Sequence, residues 1–524
     1  MENKLVTITK SLIKAKIKTR PELINVKRRL SNSLFIPSPL NSDLLKAYRQ
    51  LLKKNKIKRD LVLEQLLRKR EIRTLSGVAV ITVLTKAYAC PGKCAYCPDE
   101  KGMPKSYLSN EPAAARAKGS NFDPYKQVKV RLEALKMNGH ETEKIELIVL
   151  GGTWSCYPLK YQTWFLKRCF DALNGRISTG LTQAQKQNEK AKHRCVGLTL
   201  ETRPDYINIE EVKRLREYGC TRVELGVQTI FDPILKLNQR GQTVNQTIQA
   251  TQLLKEAGFK ITYHLMPNLP GSNVKKDLKM FKTIFSHQNF QPDMLKIYPC
   301  IVTKNSLLFK WYSQGKYQPY SDDQLKKLLI KIKLTLPYYV RLGRLIRDIP
   351  AESIIAGNKI TNLRQIIDTE LKAKKIYCKC IRCRESGHQT EELKSKTKNS
   401  KLFIQKYKAS HGLEYFLSYE SPDRKILYAF LRLRLNDKPE KNFIPELRSA
   451  ALIRELHTYG QLVPLGQAGK IQHFGLGKKL LIEAEKIAKK NKLKKIAVIS
   501  GIGVREYYKK LGYSLAGTYM VKNI

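Results

Sequence analysis

The chain has 524 residues, room for two to four domains at about 150 residues each, and it carries 98 Lys and Arg against 45 Asp and Glu, a formal charge of +53. No run of about 18 apolar residues occurs, which argues against a membrane span, and the amino-terminus mixes Lys with Ile, Leu and Thr, which argues against secretion. The expected compartment is the cytoplasm, where the 11 cysteines read as metal ligands and core thiols rather than disulfides. A polyanion is the natural partner for such charge, with a general lysine bias as the plain alternative.

Residues 1–75 hold 20 Lys and Arg against 6 Asp and Glu, a net charge of +14. Among these cations Leu44-Leu45, Leu51-Leu52, Leu61, Leu63 and Leu66-Leu67 recur at roughly helical spacing. The pattern predicts short basic helices with one apolar face, suited to lie along an RNA backbone.

From residue 76 to about 300 short apolar runs alternate with helical patterns. Candidate strands are Val78–Leu84, Ile145–Leu150, Cys195–Leu200, Arg222–Val227, Lys260–Met266 and Met294–Tyr298. Amphipathic stretches lie between them, two of which (Glu210–Tyr218 and Thr247–Ala257) run into the helix stops Gly219 and Gly258. Six βα repeats predict a parallel sheet with right-handed crossovers, either open or curled into a partial barrel. The polar stretch Leu181–His193 reads as a loop insertion before the third strand.

Shortly after the first strand come Cys90, Cys94 and Cys97 in a tight Gly/Pro loop, with Tyr96 before the last thiol. An iron–sulfur cluster normally takes four cysteine ligands. Three would leave one iron open to a cofactor or substrate; a zinc knuckle or unrelated thiols are the alternatives. The Cys-x3-Cys-x2-Cys pattern after a strand resembles the radical S-adenosylmethionine (SAM) family. That resemblance implies a 4Fe-4S cluster whose open iron chelates SAM, with Tyr96 beside the adenine. Chemistry in such sheets sits at the carboxyl ends of the strands. There stand Gly151-Gly152-Thr153 after the second strand, Glu201 and Arg203 after the third and Gln228 after the fourth. The glycines permit close approach of a ligand to the backbone and match the family motif that meets the SAM amino group. The polar residues are placed to hold ribose or carboxylate. His264, Lys296 and Tyr298 lie in the fifth and sixth strands.

Cys378, Cys380 and Cys383 crowd three further thiols into a basic region, a spacing that suggests structural zinc. The fourth ligand is open, with His388 nearby. Glu385–Ser400 is polar and reads as a linker or mobile loop.

Residues 401–524 predict a second catalytic module. Lys425–Leu435 and Ala450–Leu456 read as strands, the latter running into Glu455-Leu456-His457-Thr458. Gln472-His473-Phe474-Gly475-Leu476-Gly477-Lys478 then opens a helix with an apolar face, followed by strand Ile496–Ile499 and Tyr507-Tyr508. Glycines at a helix amino-terminus free N–H groups to cradle a pyrophosphate. The pattern is similar to the coenzyme A loop of GNAT acetyltransferases, in which a tyrosine near the end lies by the thioester sulfur.

The pairing of these two modules resembles the Elongator catalytic subunit family, the tRNA uridine(34) acetyltransferases, over nearly the whole chain. The segments that carry the resemblance include Arg73–Val78, Asp123-Pro124-Tyr125, Gly151–Thr153, Glu201–Tyr206, Glu224–Gln228, Leu295–Pro299, Arg347–Pro350, Phe416–Glu420 and Ser500-Gly501. It implies a radical SAM partial (β/α)6 barrel followed by a GNAT α/β domain. The expected domains are a basic tRNA-binding segment (1–75), the radical SAM domain (76–345), a zinc-binding or linker region (346–400) and the GNAT domain (401–524). The implied reaction uses SAM, acetyl-CoA and a reductant to form a carboxymethyl group at carbon 5 of the wobble uridine in the tRNA anticodon stem-loop. By the same resemblance, acetyl-CoA contacts fall on Lys144, Glu455, Leu456, His457, Thr458, Gln472, Gly475, Leu476, Gly477, Lys478 and Tyr508, with Tyr508 and Lys144 as the catalytic candidates. Lys144 belongs to the first module, which would put CoA between the two. Rival readings are a protein lysine acetyltransferase with a structural cluster and a non-catalytic RNA-binding scaffold. A homodimer and an assembly with other subunits are both open.

Overall fold

The computed structural model of the chain describes residues 2–67, 76–388, 399–459 and 475–524. Among them no helix is long and apolar enough to cross a membrane. Seven strands run in parallel in strict chain order: β1 (Ala79–Leu84), β2 (Lys144–Leu150), β3 (Arg194–Thr202), β4 (Arg222–Gln228), β5 (Lys260–Leu265), β6 (Met294–Ile297) and β7 (Arg341–Arg344). This is the expected radical SAM partial barrel with a seventh strand added. Alternation shapes it: on β2, Ile145, Leu147 and Val149 are buried under the helices, whereas Glu146, Ile148 and Leu150 face the lumen. Helices Ile209–Glu217 and Val244–Glu256 fall where the pattern placed them, and Gly219 and Gly258 follow them at φ +82° and +84°.

Leu181–His193 departs from expectation, because Leu181–Asn188 is a helix rather than a loop. Its inner face is polar. Asn188 accepts from Cys195 N (2.7 Å) and donates to Asn174 Oδ1 (2.8 Å), contacts that no hydrophobic period reveals. The seventh strand escaped for a similar reason: Arg341 and Arg344 are held by Glu385 (2.6 Å) and Asp348 (2.7 Å).

The second sheet also has seven strands: β8 (Lys401–Lys408), β9 (Gly412–Glu420), β10 (Leu427–Asn436), β11 (Ala450–Thr458), β12 (Lys495–Val498), β13 (Ser514–Ala516) and β14 (Tyr519–Asn523), in the order β13-β14-β12-β11-β10-β9-β8. Only β11 and β12 are parallel, and their pairing stops at Ile453 and Val498 although β11 runs on to Thr458. The two strands therefore splay, and the helix Leu476–Lys490 begins at the opening. The four amino-terminal helices (Glu2–Lys14, Arg20–Ser33, Asn41–Lys53 and Leu61–Leu67) close on their own core of Ile8, Leu12, Leu23, Leu44, Leu45 and Tyr48. The leucine repeat thus builds a small bundle, which Arg49 docks to the carbonyl of Lys136.

The second module packs on the amino-terminal ends of the barrel strands. A Cβ on Gly501 would fall 2.2 Å from Val196 O, and one on Gly503 would fall 2.6 Å from Arg194 Cβ, so glycine is required for the backbones to meet. At the centre of the joint, Asp293 just before β6 takes two bonds from Arg454 of β11 (3.0 and 2.5 Å), with Arg432 at 3.5 Å. Arg454 also reaches Glu414 (2.9 Å) and the Phe259 carbonyl (2.6 Å), while Glu455 pairs with Arg432 (2.9 Å) and Lys260 (3.2 Å). Burial opposes the Glu455 carboxylate, but Lys260 and Arg432 outweigh it and hold it down to about 2; Arg454 leads the groups that push Asp293 lower still. Asp293→Ala leaves buried guanidinium groups uncompensated and should cost about 3–5 kcal/mol in urea unfolding. Since these folded values lie below the ordinary carboxylate value of about 4, the stabilisation is complete above that pH and is lost as pH falls toward 2. A pH series of unfolding midpoints checks the sign.

Candidate active site

The carboxyl ends of the barrel strands surround a cavity of about 680 Å³. Cys90, Cys94, Cys97 and Tyr96 line it, as do Gly152, Thr153, Glu201, Arg203 and Gln228. The cysteine loop is fastened by Ala95 N to Asn238 O (3.0 Å) and Leu308 N to Ala95 O (2.8 Å). Cys94 is held as thiolate, to about 4, by a hydrogen bond from Cys97 and by Arg240, whose Nη1 lies 3.3 Å from the sulfur. Gly151 stands behind Gly152 at φ +138°, where a Cβ would meet Thr85 Oγ1 at 1.8 Å, so only glycine fits there.

Several polar atoms around this cavity have no partner among the described residues. Arg203 forms a bidentate pair with Asp205 (2.8 and 2.7 Å), but its buried Nη1 is free and sits over Gly92 in the cysteine loop. Gln228 Oε1, at a residue with φ +68°, is likewise unpaired. Buried donors and acceptors facing a cavity beside three thiols fit a cluster carrying a polar, charged ligand such as SAM. Deeper in the lumen, Glu224 accepts from His264 Nε2 (2.8 Å) and contacts Lys296, while His264 Nδ1 is 3.5 Å from Glu201. Burial disfavours the Glu224 carboxylate, but Lys296 and His264 outweigh it and keep it well below the usual range. Arg240 is beyond sequence reasoning, because nothing in its spacing links it to the cysteines; Glu201, His264 and Lys296 stand at the strand ends the sequence singled out, but their pairing with Glu224 is decided only by the fold.

At the opposite end of the barrel a second cavity of about 470 Å³ opens between the modules. It brings together Lys144, Glu455, Leu456, His457, Thr458, Gly475, Leu476, Gly477, Lys478 and Tyr508; Gln472 lies outside the described residues. Gly475 takes φ +77° as the helix Leu476–Lys490 starts, and Gly477 has room only to 3.4 Å from Tyr507 Oη. His457 Nε2 donates to Ser76 O (2.7 Å), and burial lowers its pKa, so the ring is neutral with Nδ1 as its acceptor. Burial also pushes Lys144 below the ordinary lysine value and Tyr508 above the ordinary tyrosine value. Free N–H groups at a helix start, a lysine and a neutral phenol in one groove fit an acyl-CoA.

Cys378, Cys380 and Cys383 converge elsewhere, with sulfurs all within 4.8 Å of one another. Cys378 Sγ donates to Lys333 O (3.3 Å). Three thiols at that distance suit a single tetrahedral ion. The His388 side chain lies outside the described residues, as do 389–398. The start of the supposed linker is firmly built in: Glu385 is buried against Arg341, and Arg384 pairs with Glu420 (2.8 Å) of the second sheet.

Residues 84–284 match the Radical SAM superfamily, and residues 292–373 match the Radical SAM C-terminal domain. A tRNA uridine(34) acetyltransferase of Methanocaldococcus jannaschii is 46% identical over 517 residues, covering 96% of this chain and 94% of that one. The chain belongs to the Elongator catalytic subunit family. Elongator complex protein 3 of Homo sapiens is 39% identical over 476 residues, 88% of this chain and 87% of its own length. Among solved structures, the archaeal Methanocaldococcus infernus Elp3 with its N-terminus deleted superposes with a TM-score of 0.75 at 44% identity, covering 86% of this chain and all of that one. Family membership accounts for the radical SAM half-barrel and the second mixed sheet, and it implies a 4Fe-4S cluster and SAM.

Proposed function

We propose that this protein uses SAM and acetyl-CoA to form a carboxymethyl group at carbon 5 of the wobble uridine of tRNA. The observation that carries the reading is that one barrel has a thiol-lined cavity at one end and, at the other, a groove holding a helix start, Lys144 and Tyr508. Relatives over nearly the full length bear the name tRNA uridine(34) acetyltransferase, which supports it. When bound, cluster and SAM supply one-electron chemistry able to take hydrogen from an unactivated methyl group. Cys90, Cys94 and Cys97 hold the cluster; Gly151–Thr153, Glu201, Arg203, Gln228 and Tyr96 hold SAM and keep water out. The helix start at Gly475–Lys478 takes the CoA pyrophosphate, and Lys144 orients the acyl end. Neutral Tyr508 donates a proton to the departing thiolate as the thioester is hydrolysed, with His457 Nδ1 available to accept one from water. Anaerobic incubation of tRNA with protein, SAM, acetyl-CoA and reductant, followed by nucleoside mass spectrometry, should show carboxymethyluridine. Lys144→Ala should impair modification with iron content intact, and Tyr508→Phe should slow hydrolysis about 10²-fold or more with CoA affinity retained. Acetylated protein formed without SAM would replace this reading with that of a lysine acetyltransferase.

The amino-terminal bundle buries Leu12, Leu23, Leu44, Leu45, Leu51, Leu63 and Leu67 and leaves Lys10, Lys14, Lys16, Lys18, Lys53, Lys54 and Lys56 exposed, a surface suited to phosphates. Deleting residues 1–67 should weaken tRNA binding and flatten its salt dependence by about 0.7–0.9 in slope for each phosphate left without its lysine. An unchanged slope would return these lysines to solvent.

The proposed zinc at Cys378, Cys380 and Cys383 braces the joint between β7 and the second sheet. Elemental analysis of aerobically purified protein should find about one zinc per chain. Cys380→Ser should remove it and lower the melting temperature while the cluster still assembles.

A further inference from the structure

The two cavities have a common wall. Ser76, Glu146, Arg222, Met294 and Arg341 line both of them. The wall lies inside the barrel. On β2 the lower cavity touches Lys144 and Glu146, and the upper one touches Glu146, Ile148 and Leu150. These are successive inward positions of one strand, spanning about 20 Å from Lys144 to Leu150 at roughly 3.3 Å per residue. On β4, Arg222 borders both cavities, and Glu224, Gly226 and Gln228 continue upward. A closed eight-stranded barrel fills its lumen with layers of branched apolar side chains. In this partial barrel the dividing layer holds an ion pair, Arg222 Nη1 to Glu146 Oε1 at 2.5 Å, beside Met294.

Stability does not account for that choice, since packed apolar residues in place of a buried ion pair are often neutral or stabilising. Mobility does. Arg222 stands between two carboxylates, with Glu146 below and Glu224 at 3.9 Å above, and its Nε has no partner among the described residues. Swinging from one acceptor to the other keeps its charge compensated throughout, and the unbranched Met294 side chain yields at low cost. We propose that the barrel lumen is the passage through which the acyl arm reaches from the CoA groove to the cluster cavity, and that the Glu146–Arg222 pair gates it. This rests on the CoA reading of the lower cavity.

Thiols placed along the route test it with bromoacetyl-CoA, whose electrophilic carbon occupies the acetyl methyl position. The thiolate sulfur bonds to that carbon as the C–Br bond breaks, bromide leaves and the thiol proton passes to buffer. The full-length protein is used with its cluster reconstituted anaerobically, so that Cys90, Cys94 and Cys97 are ligated, and labelled sites are read by peptide mass spectrometry. Lys144→Cys should be labelled below the gate and Ile148→Cys above it, both suppressed by excess CoA. Adding Glu146→Gln should speed labelling at Ile148→Cys several-fold, and adding Met294→Trp should slow it while labelling at Lys144→Cys and iron content persist. No labelling at Lys144→Cys would remove the CoA groove and the passage with it. Labelling at Lys144→Cys but not at Ile148→Cys, or labelling at Ile148→Cys indifferent to Met294→Trp, would overturn the passage alone.

Discussion

The structure depends on the buried pairing of Asp293 with Arg454. Moving either charge from water is costly, and only near-ideal geometry with every remaining donor satisfied repays the cost. Here the geometry is bidentate, and Arg454 Nη1 and Nη2 also reach Glu414 and the carbonyl of Phe259, although Arg454 Nε has no partner among the described residues. Lys255, Lys260, Arg432, Arg434 and Glu455 extend the pairing on both sides. A sliding interface would break several such pairs at once, so the two modules have one relative position. Charge pairing of this kind contributes orientation more than raw stability.

That position sets the function. The Cys90–Cys97 loop follows β1 at the carboxyl ends of the strands, whereas the splayed β11 and β12 sit under their amino-terminal ends. The thiol-lined cavity and the groove at the start of helix Leu476–Lys490 thus open at opposite mouths of the same barrel. The unusual inner face follows from this. Parallel strands ordinarily read as continuous apolar runs because both faces are buried. Here the helix side keeps Val223, Leu225 and Val227, while the lumen side carries Arg222, Glu224 and Gln228. A charge-lined lumen suits the proposed passage and a polar cofactor site.

Much of the candidate site was legible because its signals are local. Cysteines on one loop, paired glycines at a strand end and a Gly-x-Gly helix start each act within a few residues, so spacing reveals them. The helix Leu181–Asn188 and strand β7 were not legible: their inner faces are polar or charged and depend on Asn174, Cys195, Glu385 and Asp348. Lys144 is intermediate. Its expected place at an acyl-CoA rests on family resemblance, since by spacing alone it is a lysine before a strand; the structure puts it in the groove with Gly477 and Tyr508.

The sequence by itself placed three thiols on one loop, six of the seven barrel strands and the Gly-x-Gly helix start, because hydrophobic period, thiol spacing and glycine placement act along the chain. Only the tertiary structure decided that Arg240 lies 3.3 Å from Cys94, that Lys144 shares a groove with Gly477 and Tyr508, and that Glu146 and Arg222 stand between two cavities. Those contacts join residues far apart in sequence, and they exist because burying the joint charges requires one docking of the two modules. Coulombic pairing across such separations leaves no periodic trace in the chain.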